Sequence, residues 1–252
     1  MKEEKNAKPN RESNRTKAVI AILATTACIV ILSVVMMSLY FTGVFDDALS
    51  VRKKNDKSEQ NADAVVYTEY NVPSSLPAGL YADLTIGYGE QKFVLTAYLL
   101  SNYAPNTVNN FVSYANAGFY NGTVLGADKK RLEEGKVVCG GYVRNSDGTV
   151  SQKIPAEQTA PIKGEFYENG YTANRLGNVK GTIGMIHSAK SNDDATTDFY
   201  MLSEDATELN GKYAVFGKIT TESGVNSLRF LAQKAKNGEA VTIQKIEIYT
   251  RR

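Results

Sequence analysis

The sequence is poor in the residues that metal and redox chemistry use. Its 252 residues include one histidine and two cysteines, too few soft ligands for a structural zinc site. Cys28 lies inside an apolar run and Cys139 far from it, so the two do not form a disulfide framework. Net charge is +2, without the basic excess expected of a nucleic-acid partner. The lone histidine, His187, has no serine or cysteine nucleophile at a recognisable spacing. Glu133-Glu134 and Asp193-Asp194 fall in predicted loops, where solvated charge is the expected role. Gly140-Gly141 opens no helix and makes no phosphate loop. The residues call for no metal and no cofactor.

Charge is also missing from Ala18 to Phe45. Within that run, Ala18–Tyr40 is 23 residues long, enough to span a bilayer. A cleaved signal peptide is the competing reading, but signal cores run only about 7–15 residues and no Ala-x-Ala-like site precedes Asp46. Residues 1–17 carry six basic and three acidic side chains, which favours a cytoplasmic N-terminus. The expected layout is therefore a single-pass cell-membrane anchor over 18–45, with the rest of the chain extracytoplasmic. A polar, mobile linker is expected over 46–78. Val65–Tyr70 has strand character within it and either docks on the domain or frays. A folded domain is expected over 79–252.

That domain reads as mainly β. Leu80–Gly87 and Lys92–Leu100 alternate around Gly87-Tyr88-Gly89-Glu90, a hairpin signal. Pro105 opens a segment in which Val108, Phe111, Val112 and Ala115 recur at helical spacing. Thr182–Ile186, Asp198–Leu202 and Tyr213–Ile219 read as strands, the last after an Asn210-Gly211 turn. Val225, Leu228, Leu231 and Ala232 mark a second helix. Val241, Ile243, Ile246 and Ile248 mark a closing strand with a phase break near Lys245.

The wording of these segments resembles the cyclophilin-type peptidyl-prolyl isomerases. GTIGM corresponds to that family's G-x-[IL]-[AS]-M, TDFYM to its S-Q-F-F-I, and LNGKYAVFGKI to its L-[DN]-G-x-[HY]-x-V-F-G-[KR]-[VI]. APNTVNNFVSYANAGFY matches its first helix. The resemblance implies a closed eight-stranded antiparallel barrel capped by two helices. It also implies an arginine that approaches the prolyl nitrogen beside an apolar proline pocket. Counting back from Gly140-Gly141 puts Arg131 at that arginine, with Leu132 and Gly135 also matching. Counting forward from Gly122-Thr123 without a gap puts Ala127 there instead. The first alignment matches three positions and is adopted, with Arg131 as the catalytic candidate.

The implied substrate groove comprises Val137, Cys139, Met185, His187, Asp198, Tyr200, Leu209 and Tyr213. Several depart from the family: Lys136 stands for phenylalanine, Cys139 and Asp198 for glutamine, and Tyr200 for phenylalanine. An ionised Asp198 donates no hydrogen bond. Two functions follow. One is a slow, membrane-tethered isomerase of Pro-containing segments in exported proteins. The other is a cyclophilin-fold module that binds such segments, or a protein partner, without turnover.

Overall fold

Alternation of apolar and polar residues after Gly79 produces the longest hairpin of the fold. The computed structural model describes residues 65–154 and 159–252. Residues 18–45, expected to cross a membrane, lie outside the described residues, as does the chain before and after them up to residue 64. Among the described residues no helix is long and apolar enough to cross a membrane.

The elements run β1 (Gly79–Tyr88), β2 (Gln91–Leu99), α1 (Pro105–Asn116), β3 (Thr123–Val124), α2 (Lys129–Glu133), β4 (Lys136–Cys139), β5 (Tyr142–Arg144) and β6 (Val150–Gln152). They continue with β7 (Thr182–Met185), β8 (Phe199–Leu202), β9 (Val215–Ile219), α3 (Glu222–Lys236) and β10 (Val241–Arg251). Eight strands form one antiparallel sheet in the order β3-β10-β1-β2-β9-β7-β8-β4, and β5 pairs with β6 in a separate hairpin. The expected phase break is a register shift, with Thr85 opposite Lys245 and Ile86 opposite Ile243.

The barrel is nearly closed, whereas full closure was expected. At the seam β3 and β4 do not form a ladder. Instead the Gly126 N–H donates to the Val138 carbonyl at 2.8 Å. β3 is too short to pair further, because residues 128–133 turn into α2. That short helix is a third one beyond the two expected; Asp128 caps it by accepting from the Arg131 N–H at 3.1 Å.

Inward-facing residues fill the barrel. Phe111, Tyr120, Phe199 and Phe216 are buried, and Phe111 makes ring contacts with the other three. Each such side chain contributes about 1.5–3 kcal/mol through removal from water. α1 buries Thr107, Val108, Phe111 and Ala115, and α3 buries Val225, Leu228, Leu231 and Ala232 among others. Ala104 gives α1 no side-chain cap. The buried Glu165 supplies one from a distant loop, accepting from the backbone N–H groups of Asn106 and Thr107 and from both side chains. Orphan donors of the first turn are thereby satisfied by a carboxylate that also suits the helix dipole.

Residues 46–78 were read as linker, with Val65–Tyr70 either docking on the domain or fraying; that segment docks, and the compact unit begins at Val66. Thr68 makes a parallel bridge with Leu176, and Tyr70 stacks on Tyr98.

Candidate active site

Strand alternation divides β4 between the core and the site. Val137 and Cys139 point into the barrel and are 0% exposed, opposite Met201 and Phe199 of β8. They are not groove residues. A shift of one along the strand is what separates inside from outside: Lys136 and Val138 lie opposite Leu202 and Tyr200 and line cavities on the outer face. Burial pushes the Cys139 thiol well up, with Asp198 adding to the effect. Met185 is likewise in the core, with a margin on a small cavity shared with Phe166, His187 and Ala214.

Four of the expected residues converge. Arg131, Tyr200, Leu209 and Tyr213 line a pocket of about 120 Å³, together with Glu134 and Lys136. The Tyr200 and Tyr213 rings meet edge to face, with centroids 5.8 Å apart. Tyr200, 3% exposed, forms the floor, and its hydroxyl donates to Asn178 Oδ1. Burial raises the Tyr200 hydroxyl far above its usual range, and Tyr213 adds to this; the Arg131 charge acts in the opposite sense. Arg131 Nε lies 3.4 Å from Asp128 Oδ2. Because α2 is short and capped by that same Asp128, the arginine is presented at the pocket rim.

Arg131 is also a wall of a second cavity of about 550 Å³, with Ala127–Lys130, Val138, Tyr142, Ile186 and Asp198 among its lining. Asp198 belongs here and not in the smaller pocket. It accepts from the Tyr142 hydroxyl at 2.7 Å and from the Thr197 hydroxyl at 3.1 Å. Burial, then the charge and hydrogen bond of Asp198, push the Tyr142 hydroxyl up to about 12. His187 lies off both cavities, stacked between Phe166 and Tyr213 at 5.2 and 4.7 Å. Its ring nitrogens are each 2.8 Å from a carbonyl oxygen, those of Ser188 and Lys212. It therefore buttresses Tyr213 from behind.

Sequence reasoning missed the roles of Tyr142, Asn178 and the Lys136 ion pairs. Lys136 Nζ lies 2.9 Å from Glu134 and 2.7 Å from Glu208, tying β4 to the loop that carries Leu209. Burial pulls the ammonium down, but the hydrogen bonds to Glu208 and Glu134 outweigh it and leave it raised. The hydrogen bond from Lys136 holds the Glu208 carboxyl below its usual range.

A depressed carboxyl contributes above its unfolded pKa and is lost as pH falls through its folded one; a raised ammonium is lost only as pH rises through its own. The strut is therefore whole at neutral pH and releases in acid, below the ordinary glutamate value of about 4.5. Affinity for a proline peptide, followed by NMR titration, should fall over that acid limb toward the level of Glu208→Gln. If the Glu208→Gln protein shows the same acid limb, the strut does not govern the pocket.

A family model described as cyclophilin type peptidyl-prolyl cis-trans isomerase matches residues 81–251, most of the chain. The chain belongs to the cyclophilin-type family. Among curated relatives, this cyclophilin chain is 36% identical to a peptidyl-prolyl cis-trans isomerase A of Dickeya dadantii over 46% of this chain and 55% of that protein. It is 31% identical to a peptidyl-prolyl cis-trans isomerase B of Bacillus subtilis over 57% of this chain and 84% of that protein. Against the first of these and a peptidyl-prolyl cis-trans isomerase of Acinetobacter baylyi, the chain spans 55% and 58% of their lengths. A solved Cryptosporidium parvum cyclophilin covers 70% of this chain at 18% identity, with a TM-score of 0.46.

Proposed function

We propose that this cyclophilin domain is a peptidyl-prolyl cis-trans isomerase acting on Pro-containing segments. The observation that carries the reading is the convergence of Arg131 with Tyr200, Leu209 and Tyr213 on one small pocket. Resonance gives the X-Pro amide a rotation barrier of roughly 18–20 kcal/mol. Twisting the bond breaks that resonance and localises the nitrogen lone pair, making the nitrogen a better acceptor than in either planar state. A guanidinium beside a pocket that grips the proline ring donates to this nitrogen and so favours the twisted amide over both ground states. Tyr200, Leu209 and Tyr213 supply apolar walls for the ring. No nucleophile or proton transfer is required.

A second reading, a binding module without turnover, draws support from two departures. Cys139 lies in the core and Asp198 is an acceptor, so neither supplies the donor that glutamine gives in the family wording. Exchange spectroscopy on an Ala-Pro peptide separates the two. Faster cis–trans exchange supports the isomerase. Shifted peptide resonances with unchanged exchange support the module, and neither effect sinks both.

The finer parts of the proposal rest on residues 1–45. Their basic lead and long uncharged run support a single-pass membrane anchor with a cytoplasmic N-terminus. The domain would then face exported, unfolded polypeptides outside the membrane.

A further inference from the structure

The segment Tyr67–Tyr70 lies outside residues 81–251, the part matched to the family, yet it is bonded to the back of the candidate pocket. The Thr68 N–H donates to the Arg175 carbonyl at 3.0 Å, and the Gly177 N–H donates to the Thr68 carbonyl at 2.8 Å. Next in the chain, Asn178 is 0% exposed and organises the pocket floor. Its Oδ1 accepts from the Tyr200 hydroxyl, its N–H donates to Asn210 Oδ1 at 2.7 Å, and its carbonyl accepts from the Ala206 N–H at 2.9 Å. Both ends of the loop carrying Leu209 are thus fixed to one residue.

Tyr67 reaches the same loop directly. A Cβ built on Gly211 would fall 2.1 Å from Tyr67 Oη and 2.9 Å from its Cζ, so only glycine admits the hydroxyl there. The Tyr67 ring packs edge-on against Tyr167, which Arg175 covers at 4.9 Å. Burial is the first cause that raises the Tyr67 hydroxyl, followed by the charge of Glu168. The far end of the segment is held differently. Glu69 lies 2.9 Å from Lys218 Nζ, a lysine residue only 8% exposed whose other partner is the Lys180 carbonyl.

We infer that Tyr67–Tyr70 is a positioning strap: through Tyr67 against Gly211 and Thr68 against Leu176–Gly177, it sets the loop that presents Leu209 and Tyr213 to the proline. The strap lies outside the residues matched to the family. Its two ends have separable effects. Tyr67 governs the pocket, whereas Glu69 neutralises a buried ammonium and governs stability.

The test uses the full-length chain, with an Ala-Pro peptide as probe. Tyr67→Ala should weaken peptide binding roughly threefold to tenfold while the thermal midpoint stays close to wild type. Glu69→Ala should lower the midpoint and leave peptide affinity within about twofold. Two strap variants that lower the midpoint alike and both spare affinity would reduce the segment to ordinary packing and overturn the inference. So would a Tyr67→Ala protein with wild-type affinity. The inference rests on the isomerase reading only for where the substrate sits. If the wild-type chain binds the peptide without accelerating exchange, that reading fails while the affinity comparison still judges the strap. If the wild-type chain does not bind the peptide, the strap has no pocket to position and the inference falls with it.

Discussion

Replacing Arg131 by alanine is expected to cut the acceleration of cis–trans exchange by roughly 10²–10³-fold, the usual loss when one preorganised donor is removed. Affinity for the peptide should change far less, because the apolar walls of the pocket are untouched and the guanidinium acts mainly on the twisted amide. Stability should move by no more than about 0.5 kcal/mol, since the arginine side chain is 37% exposed and its ion pair with Asp128 is a surface one. Asp128 keeps its capping role through the backbone N–H of residue 131. Arg131→Lys retains the charge but not the planar fork of donors, and should recover only part of the rate. The comparison is made by exchange spectroscopy at saturating peptide. An Arg131→Ala protein that still accelerates exchange as well as wild type would move the chemistry elsewhere in the groove.

The second large effect concerns Gly184. In the family wording this position is alanine or serine, and the position of Tyr200 is phenylalanine. Here Gly184 and Tyr200 sit directly opposite each other on β7 and β8. A Cβ on Gly184 would lie 2.2 Å from both Cζ and Oη of Tyr200. The tip of the tyrosine ring, carbon as well as hydroxyl, occupies the space a methyl would fill, and Asn178 holds it there as the hydroxyl's hydrogen-bond partner.

Gly184→Ala alone should cost about 1–3 kcal/mol from overpacking and push Tyr200 into the pocket it floors, weakening peptide binding. Tyr200→Phe alone should cost about 1–3 kcal/mol, because Asn178 Oδ1 is left buried without its donor. Combined, the phenyl ring is no longer pinned to Asn178 by a hydroxyl and can shift off the methyl, which it must do because its Cζ and Cε1 still crowd that position. The double variant should therefore be more stable than the sum of the single losses predicts by about 1 kcal/mol or more. Denaturant midpoints for the four proteins provide the cycle. Strict additivity would mean that the two positions do not compete for space.

Much of the scaffold was legible because its signals are local. The period-2 runs at 80–100, the helical spacing of Val108, Phe111 and Ala115, and the phase break near Lys245 each specify an element within a few residues. Arg131 could be picked out as a pocket-lining candidate because an arginine, an apolar residue and a glycine share one spacing. The side of β4 facing the site was not legible. A one-residue error in register exchanges Val137 and Cys139 for Lys136 and Val138, and nothing in KVVC alternates clearly enough to prevent it. The Glu165 cap and the Asn178 hub escaped notice because each joins residues far apart in the chain. For Tyr67–Tyr70, strand character showed but the choice between docking and fraying did not, because its composition is half polar. Its docking is decided by a glycine at position 211 and a loop at 175–177, which no local pattern announces.

The seam between β3 and β4 has one more consequence. Arg131 rides on the connection that crosses this gap, where Gly126 and Val138 share a hydrogen bond in place of a ladder. Amide protons there should trade with solvent sooner than those of β1, which is flanked on both sides by β10 and β2. On warming, the chemistry should fade while the sheet still gives its full circular-dichroism signal, so inactivation and melting would occur at two different temperatures.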